Sequence, residues 1–351
     1  MTIRKFKKYS PSFPQGQPQL APKKMRLLIL GGTSFVGRAA AMEAIARGHE
    51  VTTFNRGTKP APKGARAIIG DRLAPDGYKG LEGLTFDSVL DTWSADAEVV
   101  STAIAALKGR MSHFIYISTV SVYDMSSAAV IPLSEGSALV DLEKPEASNK
   151  YSIDKLGGER AAEKAGVPVL LPRPGIILGP YESSPGRLPW WLDRMRRGGR
   201  TLGPGPKENS TQFIDVRDLV SFVIDAAEKR VGGVYNIISQ PTHTTVGELL
   251  DTLNEVTGGN ADLIWKDPET ILNAGVTPWS ELPCWLPPGR QHDLLFGCNV
   301  DKAFAAGLRA RPMRNTVIDT WAWMQSEHIE PPTYGKGRVG LDPEKEAKIL
   351  Q

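Results

Sequence analysis

The sequence predicts an α/β protein: a doubly wound parallel sheet with a smaller C-terminal lobe interleaved into it. Three observations carry this expectation. Short apolar runs alternate with longer helix-patterned segments from Met25 to about residue 180. Glycines stop the first apolar run where it turns into a helix. After Pro180 the texture changes to Pro, Gly, Arg and Trp before regular segments return. Each parallel strand needs a crossover to reach its neighbour, so strand and helix must alternate in such a sheet.

RLLILGG, beginning at Arg26, reads as a short buried strand, and AAAMEAIARGH as a helix ending at Gly48. EVTTFN is the second strand. ARAIIGD, FDSVLDT, HFIYIST and VPVLLPRP follow as strand-like runs, with VVSTAIAALKG and KYSIDKLGGERAAEKAG as helix-like segments. The expected domains are therefore a basic Pro/Gln-rich extension at 1–24, a nucleotide-type domain at 25–180 and 212–240, a lobe at 181–211 and 241–330, and a C-terminal tail at 331–351. The segment 1–24 lacks any periodic apolar pattern, so it cannot build a core of its own.

Composition excludes several classes. With 351 residues and 41% hydrophobic content the chain can bury a full core, and 42 basic against 39 acidic residues leave a formal charge of only +3. So small an excess predicts neither a nucleic-acid nor a membrane partner. The chain lacks the roughly 18 consecutive apolar residues of a membrane span, and the apolar stretch of a secretory signal, so a cytoplasmic protein is expected. Cys284 and Cys298 have no CxxC spacing and read as buried thiols. His49, His113, His243, His292 and His328 show no metal spacing, and no metal is expected.

In LLILGGTSFVGRAA, Gly31, Gly32 and Gly37 stand between the first strand and its helix, with Thr33, Ser34, Phe35 and Val36 in the loop. There a dinucleotide pyrophosphate would meet backbone N–H groups and the positive helix end, as in a Rossmann-type site. Ser34 replaces the middle glycine of the usual fingerprint, which leaves a plain strand-to-helix turn as the alternative. The second strand ends at Asn55-Arg56, where a carboxylate would hold the ribose 2′-hydroxyl of NAD. A neutral Asn with Arg56 beside it, and Arg38 and Lys59 nearby, removes repulsion against a 2′-phosphate and supplies cations for it. The expectation is NADP(H) in preference to NAD(H).

Tyr151 and Lys155 lie four apart at the front of a helix-like segment and so share one face. A tyrosine hydroxyl titrates near pH ~10, and a neighbouring ammonium with an oxidised nicotinamide favours its phenolate. The same spacing also arises on ordinary amphipathic helices. Its position adds meaning, because HFIYIST upstream ends in Ser118 and Thr119, whose hydroxyls can polarise a carbonyl beside the tyrosine. The chemistry expected is a hydride exchanged at C–OH or C=O, with Tyr151 exchanging the proton.

With GGTSFVG, GDR at 70–72, STVSVYD at 118–124, YSIDK at 151–155, RPGIILGP at 173–180 and QFIDVRDL at 212–219 in this order, the chain resembles the extended short-chain dehydrogenase/reductases, the NAD-dependent epimerase/dehydratase family. The resemblance runs from Met25 to about residue 240 and more loosely beyond. It implies that Thr119, Tyr151 and Lys155 are the catalytic residues. It also implies cofactor contacts at Asp71 and Arg72 beside the adenine, Thr92 near the middle of the cofactor and Pro174 near the carboxamide, and a homodimer formed through helices that include the one bearing Tyr151. Asp215 and Asp218 read as structural. Dehydratases of the family carry Asp-Glu directly after the catalytic Thr, where this chain has Val120 and Ser121, so water elimination is disfavoured. GGTSFVG and FNRG resemble reductase-like members and the chloroplast RNA-binding relatives.

On the lobe, Trp190, Arg187, Trp279 and Arg290 are the candidate contacts to a small-molecule substrate, since aromatics and arginines stack on and pair with sugars, aromatics or phosphates. Packing is the competing role for each. Three functions remain open at this level: a reductase or dehydrogenase that consumes NADPH, an epimerase with tightly held cofactor, and a nucleotide-sensing or RNA-associated protein without turnover.

Overall fold

Arg26–Leu30 (β1) places Leu27 and Ile29 on one face of the sheet and Leu28 and Leu30 on the other, all fully buried. A strand apolar on both faces belongs in the middle of a sheet covered by helices on each side. The computed structural model describes residues 24–182, 186–329 and 339–351; most of the expected 1–24 extension lies outside them. β1 is joined by β2 (Glu50–Asn55), β3 (Arg66–Ile69), β4 (Ser88–Asp91), β5 (Phe114–Tyr116), β6 (Val169–Pro174) and β10 (Gly233–Ile237) in one seven-stranded parallel sheet. Its order is β10-β6-β5-β4-β1-β2-β3. The doubly wound α/β fold of Rossmann type is therefore established.

The helices fall on two faces. α1 (Phe35–Ala46) and α5 (Val216–Lys229) cover the Leu27 and Ile29 side through Ala40, Ala41, Ala44, Leu219 and Val223. α2 (Glu98–Ala106) and α3 (Lys150–Ala162) cover the other through Val100, Ala103, Ala161 and Ala162. The chain reverses direction of travel between β1 and β4, so their carboxyl ends open a crevice where ligands bind in such sheets.

The lobe has its own core. It is built from α4 (Arg187–Arg197), α6 (Val246–Thr257), α10 (Met313–Ser326) and two small parallel pairs. These pairs are β7 (Ile176–Leu178) with β9 (Phe213–Asp215), and β8 (Gly199–Pro204) with β11 (Ala261–Lys266). α7 (Pro268–Asn273) and α8 (Arg290–Phe296) complete it, while α9 (Asp301–Ala305) returns to the sheet, burying Ala303 beside α5. Two boundaries shift from the sequence expectation. The 241–330 lobe segment thus contributes to both cores. The 331–351 segment is no simple tail: from residue 339 it forms α11 (Pro343–Ile349), whose buried Glu346 binds Arg194 at 2.7 Å and accepts from Leu202 N at 2.9 Å. Val339, Leu341, Ile349 and Leu350 enter the lobe core, a set of apolar positions too short in sequence to show a period.

Candidate active site

At the end of β1 the chain turns sharply through Gly31, whose φ of +100° suits glycine. A Cβ on Gly31 would lie 2.3 Å from Thr92 Oγ1, and one on Gly37 would lie 2.3 Å from the Gly31 carbonyl oxygen. The loop and α1 are thus packed as closely as backbone allows. Thr92 locks the crossing by donating to the Leu30 carbonyl at 2.9 Å. Thr33, Ser34, Phe35 and Val36 line the loop with their side chains partly or fully open. Ser34 is the N-cap of α1, yet its side chain makes no capping bond to the first-turn N–H groups. A narrow loop with an uncapped helix start is what a pyrophosphate requires, and these residues fit a dinucleotide.

Asn55 closes the turn after β2 by accepting from Gly57 N at 2.8 Å. Arg56 and Lys59 are exposed, and neither pairs with an acid among the described residues. Arg38 does not join them. Its guanidinium lies 4.5 Å from the Tyr181 ring centroid, with Nε buried and without a hydrogen-bond partner. Asp71, at the exposed end of β3, accepts from Leu73 N at 3.0 Å, and Pro174 is buried at the end of β6. Arg72 corrects the sequence expectation of a cofactor contact. Its side chain is only 8% exposed and grips Asp91 with both nitrogens at 2.7 Å, with further bonds to Tyr78 Oη and the Val99 carbonyl. The fork is spent inside the protein.

α3 begins where Asn149 caps it, accepting from Ser152 N at 2.9 Å. Tyr151 therefore sits in the first turn and Lys155 one turn later. Tyr151 is 45% exposed, and its hydroxyl meets the Thr119 side chain. Thr119 is buried at the end of the β5 run and itself accepts from Ser121 N at 3.2 Å. Desolvation lifts the Tyr151 phenol above its usual range, while Thr119 and the charge of Arg187 pull it down.

Lys155 departs from the expected ammonium beside the phenol. It is 3% exposed, donates to the Trp93 and Ile117 carbonyls at 2.6 Å each, and lies 4.7 Å from the Tyr116 ring centroid. Burial lowers it to about 7, against the opposing charges of Asp91 and Glu159. The cation that bears on the phenol is Arg187 instead. A stability signature follows. With Lys155 held below its ordinary 10.5, the unfolded chain binds more protons between about pH 7 and 10.5, so this residue adds stability as pH rises through that window. Below it both states are protonated, and the cost of burial is felt in full. The stability difference between wild type and Lys155→Met is expected to climb by up to about 1.4 kcal/mol per pH unit over this range. Urea titrations at stepped pH measure it, and a flat difference refutes it.

The sequence gives no signal for Asp91. Buried at the end of β4, it holds Arg72 and accepts from Trp93 N at 2.9 Å, so the Trp93 backbone is held at its N–H by Asp91 and at its carbonyl by Lys155. Glu159 and Arg173 form a second buried pair beside Lys155, at 2.6 Å. Asp215 and Asp218 are structural: Asp215 caps α5, and Asp218 binds Arg311 at 2.7 Å.

Of the lobe candidates, Trp190 is corrected. It is 2% exposed within the lobe core, edge-on to Trp191 at 4.6 Å, and is out of reach of a ligand. Arg290 is exposed but bonds the Ser126 carbonyl at 3.2 Å and the Ala129 carbonyl, pinning that loop. Arg187 and Trp279 come together, with the guanidinium carbon 5.8 Å from the indole centroid. Cys284 and Cys298 are buried thiols pushed up to about 12 by desolvation.

A parallel sheet with a glycine loop at its switch point, and a Thr, Tyr and Lys set at the next strand end and helix, defines a nucleotide-binding protein of the extended short-chain dehydrogenase class. Residues 27–237 match the NAD dependent epimerase/dehydratase family, and the chain belongs to it. It is 28% identical over 235 residues to the chloroplast stem-loop binding protein of 41 kDa b of Arabidopsis thaliana, covering 62% of this chain and 59% of that protein. It is 27% identical over 222 residues to the 2-alkyl-3-oxoalkanoate reductase of Stenotrophomonas maltophilia (strain K279a), covering 57% and 64%. The match thus spans about three-fifths of each relative's length. The fold is shared with the Bordetella bronchiseptica enzyme WbmH, solved with NAD+, at a TM-score of 0.67 and 17% identity, over 87% of this chain and all of that one. Among the described residues no helix is long and apolar enough to cross a membrane.

Proposed function

We propose that the protein is an NADP(H)-dependent oxidoreductase that interconverts a carbonyl and an alcohol on a small metabolite. The observation that carries this reading is the meeting of the Thr119 and Tyr151 hydroxyls at the end of the β5 run, one helical turn from buried Lys155. Gly31, Thr33, Ser34, Phe35, Val36 and Gly37 would hold the cofactor's pyrophosphate, Asp71 its adenine, and Thr92 and Pro174 its central and nicotinamide parts, while buried Lys155 supports the site from beneath. When bound, the cofactor supplies or receives a hydride.

The chain's own residues do the rest. Thr119 orients the substrate oxygen, and Tyr151 gives or takes its proton as general acid or base. The phenol, lifted by desolvation, is suited to donating in the reductive direction. Lys155 keeps the Trp93 and Ile117 carbonyls in place beneath the site. Val120 is buried and apolar, so a second acid next to Thr119 is absent and the site moves one proton.

The reading is tested by following NADPH absorbance against ketones, aldehydes and oxidised sugars. Net consumption supports it, whereas interconversion of sugar epimers without consumption replaces it with the epimerase reading. Exposed Arg56, with neutral Asn55 before it, supports the NADP(H) preference. Arg56→Ala is expected to weaken NADPH about tenfold, with NADH changing less than twofold, as the loss of one charge-assisted contact implies. Equal affinities of the wild type for NADH and NADPH by calorimetry overturn that preference.

A further inference from the structure

We propose that Arg187 is an oxyanion-binding residue, so that the substrate carries a carboxylate or phosphate close to the carbon at which Tyr151 works. This deepens the oxidoreductase reading and rests on it. Arg187 opens α4, and the guanidinium is bounded by three groups. The Trp279 indole lies against it, with the ring centroid 5.8 Å from the guanidinium carbon. Glu182 stands behind, and the Tyr151 phenol lies close enough to feel its charge.

Glu182 does not consume the guanidinium. The carboxylate is fully buried and accepts from the backbone N–H groups of Arg187 at 3.0 Å and Leu188 at 3.2 Å, which is the work of a helix-start cap. The side-chain contact to Arg187 is a single one at 3.5 Å, far from the paired bonds of a fork on a carboxylate. Nε and Nη2 of Arg187 have no acceptor among the described residues. A half-buried guanidinium with two donors unmet is a receptor for an oxyanion, since its planar fork matches carboxylate and phosphate oxygens.

The wall beside it is held under strain. Trp279 has φ of +70° and Cys284 φ of +64°, a left-handed backbone that is costly for non-glycine residues and persists where neighbours over-determine it. Those neighbours are present: Trp191 Nε1 donates to the Pro283 carbonyl at 2.7 Å, Trp285 Nε1 to the Gly205 carbonyl at 3.2 Å, and Trp279 N to the Trp285 carbonyl at 3.1 Å. The strain presents Trp279, only half-buried, against Arg187. Leu282, Cys284, Trp285 and Leu286 of the same segment are core.

The test titrates the full-length protein with oxalate, inorganic phosphate and neutral oxamide, read by tryptophan fluorescence, with Trp279→Phe identifying the reporter. Oxalate or phosphate is expected to saturate the signal and oxamide to leave it unchanged. Arg187→Gln should weaken the anion about tenfold or more, and Arg187→Lys, which keeps charge without the fork, should fall between. Response to oxalate alone assigns a carboxylate, and to phosphate alone a phosphate. In a second arm, 2- and 3-oxo acids are compared with their amides by NADPH absorbance, where the acid is expected to win and Arg187→Gln to collapse the ratio. Equal anion affinity in wild type and Arg187→Gln, or no anion response at all, overturns the proposal. Anion binding without any turnover retains the oxyanion site and rejects the oxidoreductase reading, so the two failures are separable.

Discussion

Tyr151→Phe is expected to lower kcat by about 10²–10⁴-fold, the usual worth of a positioned general acid or base. The reason is local. Thr119 is oriented by its bond from Ser121 N, and its side chain meets the Tyr151 hydroxyl. Cofactor affinity in the phenylalanine variant should stay within about threefold of wild type, because the ring and the α3 cap at Asn149 are retained. Thr119→Val should cost less, since orientation of the substrate oxygen is lost while the proton donor remains. Retention of full NADPH consumption by Tyr151→Phe sinks the mechanism.

Asp91→Ala is expected to destabilise the fold by about 3–5 kcal/mol, the cost of removing one partner of a buried pair. Arg72 would be left as a buried charge without its carboxylate partner, and Trp93 N without an acceptor. Because Trp93 also holds Lys155 through its carbonyl, the loss reaches the site: without the Asp91 charge, Lys155 falls further below its ordinary range. Adding Arg72→Met to Asp91→Leu should recover much of the stability, since replacing both partners by apolar groups avoids the orphaned charge. Urea midpoints of the single and double variants decide it. Additive losses refute the coupling.

The comparison between sequence and structure turns on particular residues. The strands and helices of the nucleotide domain were legible because parallel strands buried on both faces are continuous apolar runs, and β1, β2 and β4 to β6 follow those runs closely. Arg72 misled because its neighbour Asp71 is an exposed turn residue, while a guanidinium can reach across to β4, and only the fold reveals Asp91 waiting there. Trp190 and Trp279 read alike in sequence. One is core and one faces a guanidinium, a difference set by the helix face of the first and the strained loop of the second.

The sequence by itself determined the sheet, the place of the glycine loop and the one-turn spacing of Tyr151 and Lys155, since these depend on local periodicity and short-range backbone geometry. Tertiary structure alone decided which charges act on them. Lys155 is drawn under the site by carbonyls from β4 and β5 ends far apart in sequence, and Arg187 is brought to the phenol from the lobe. Electrostatic partners are fixed by distance in space and by burial, and neither is written in the order of residues along a chain.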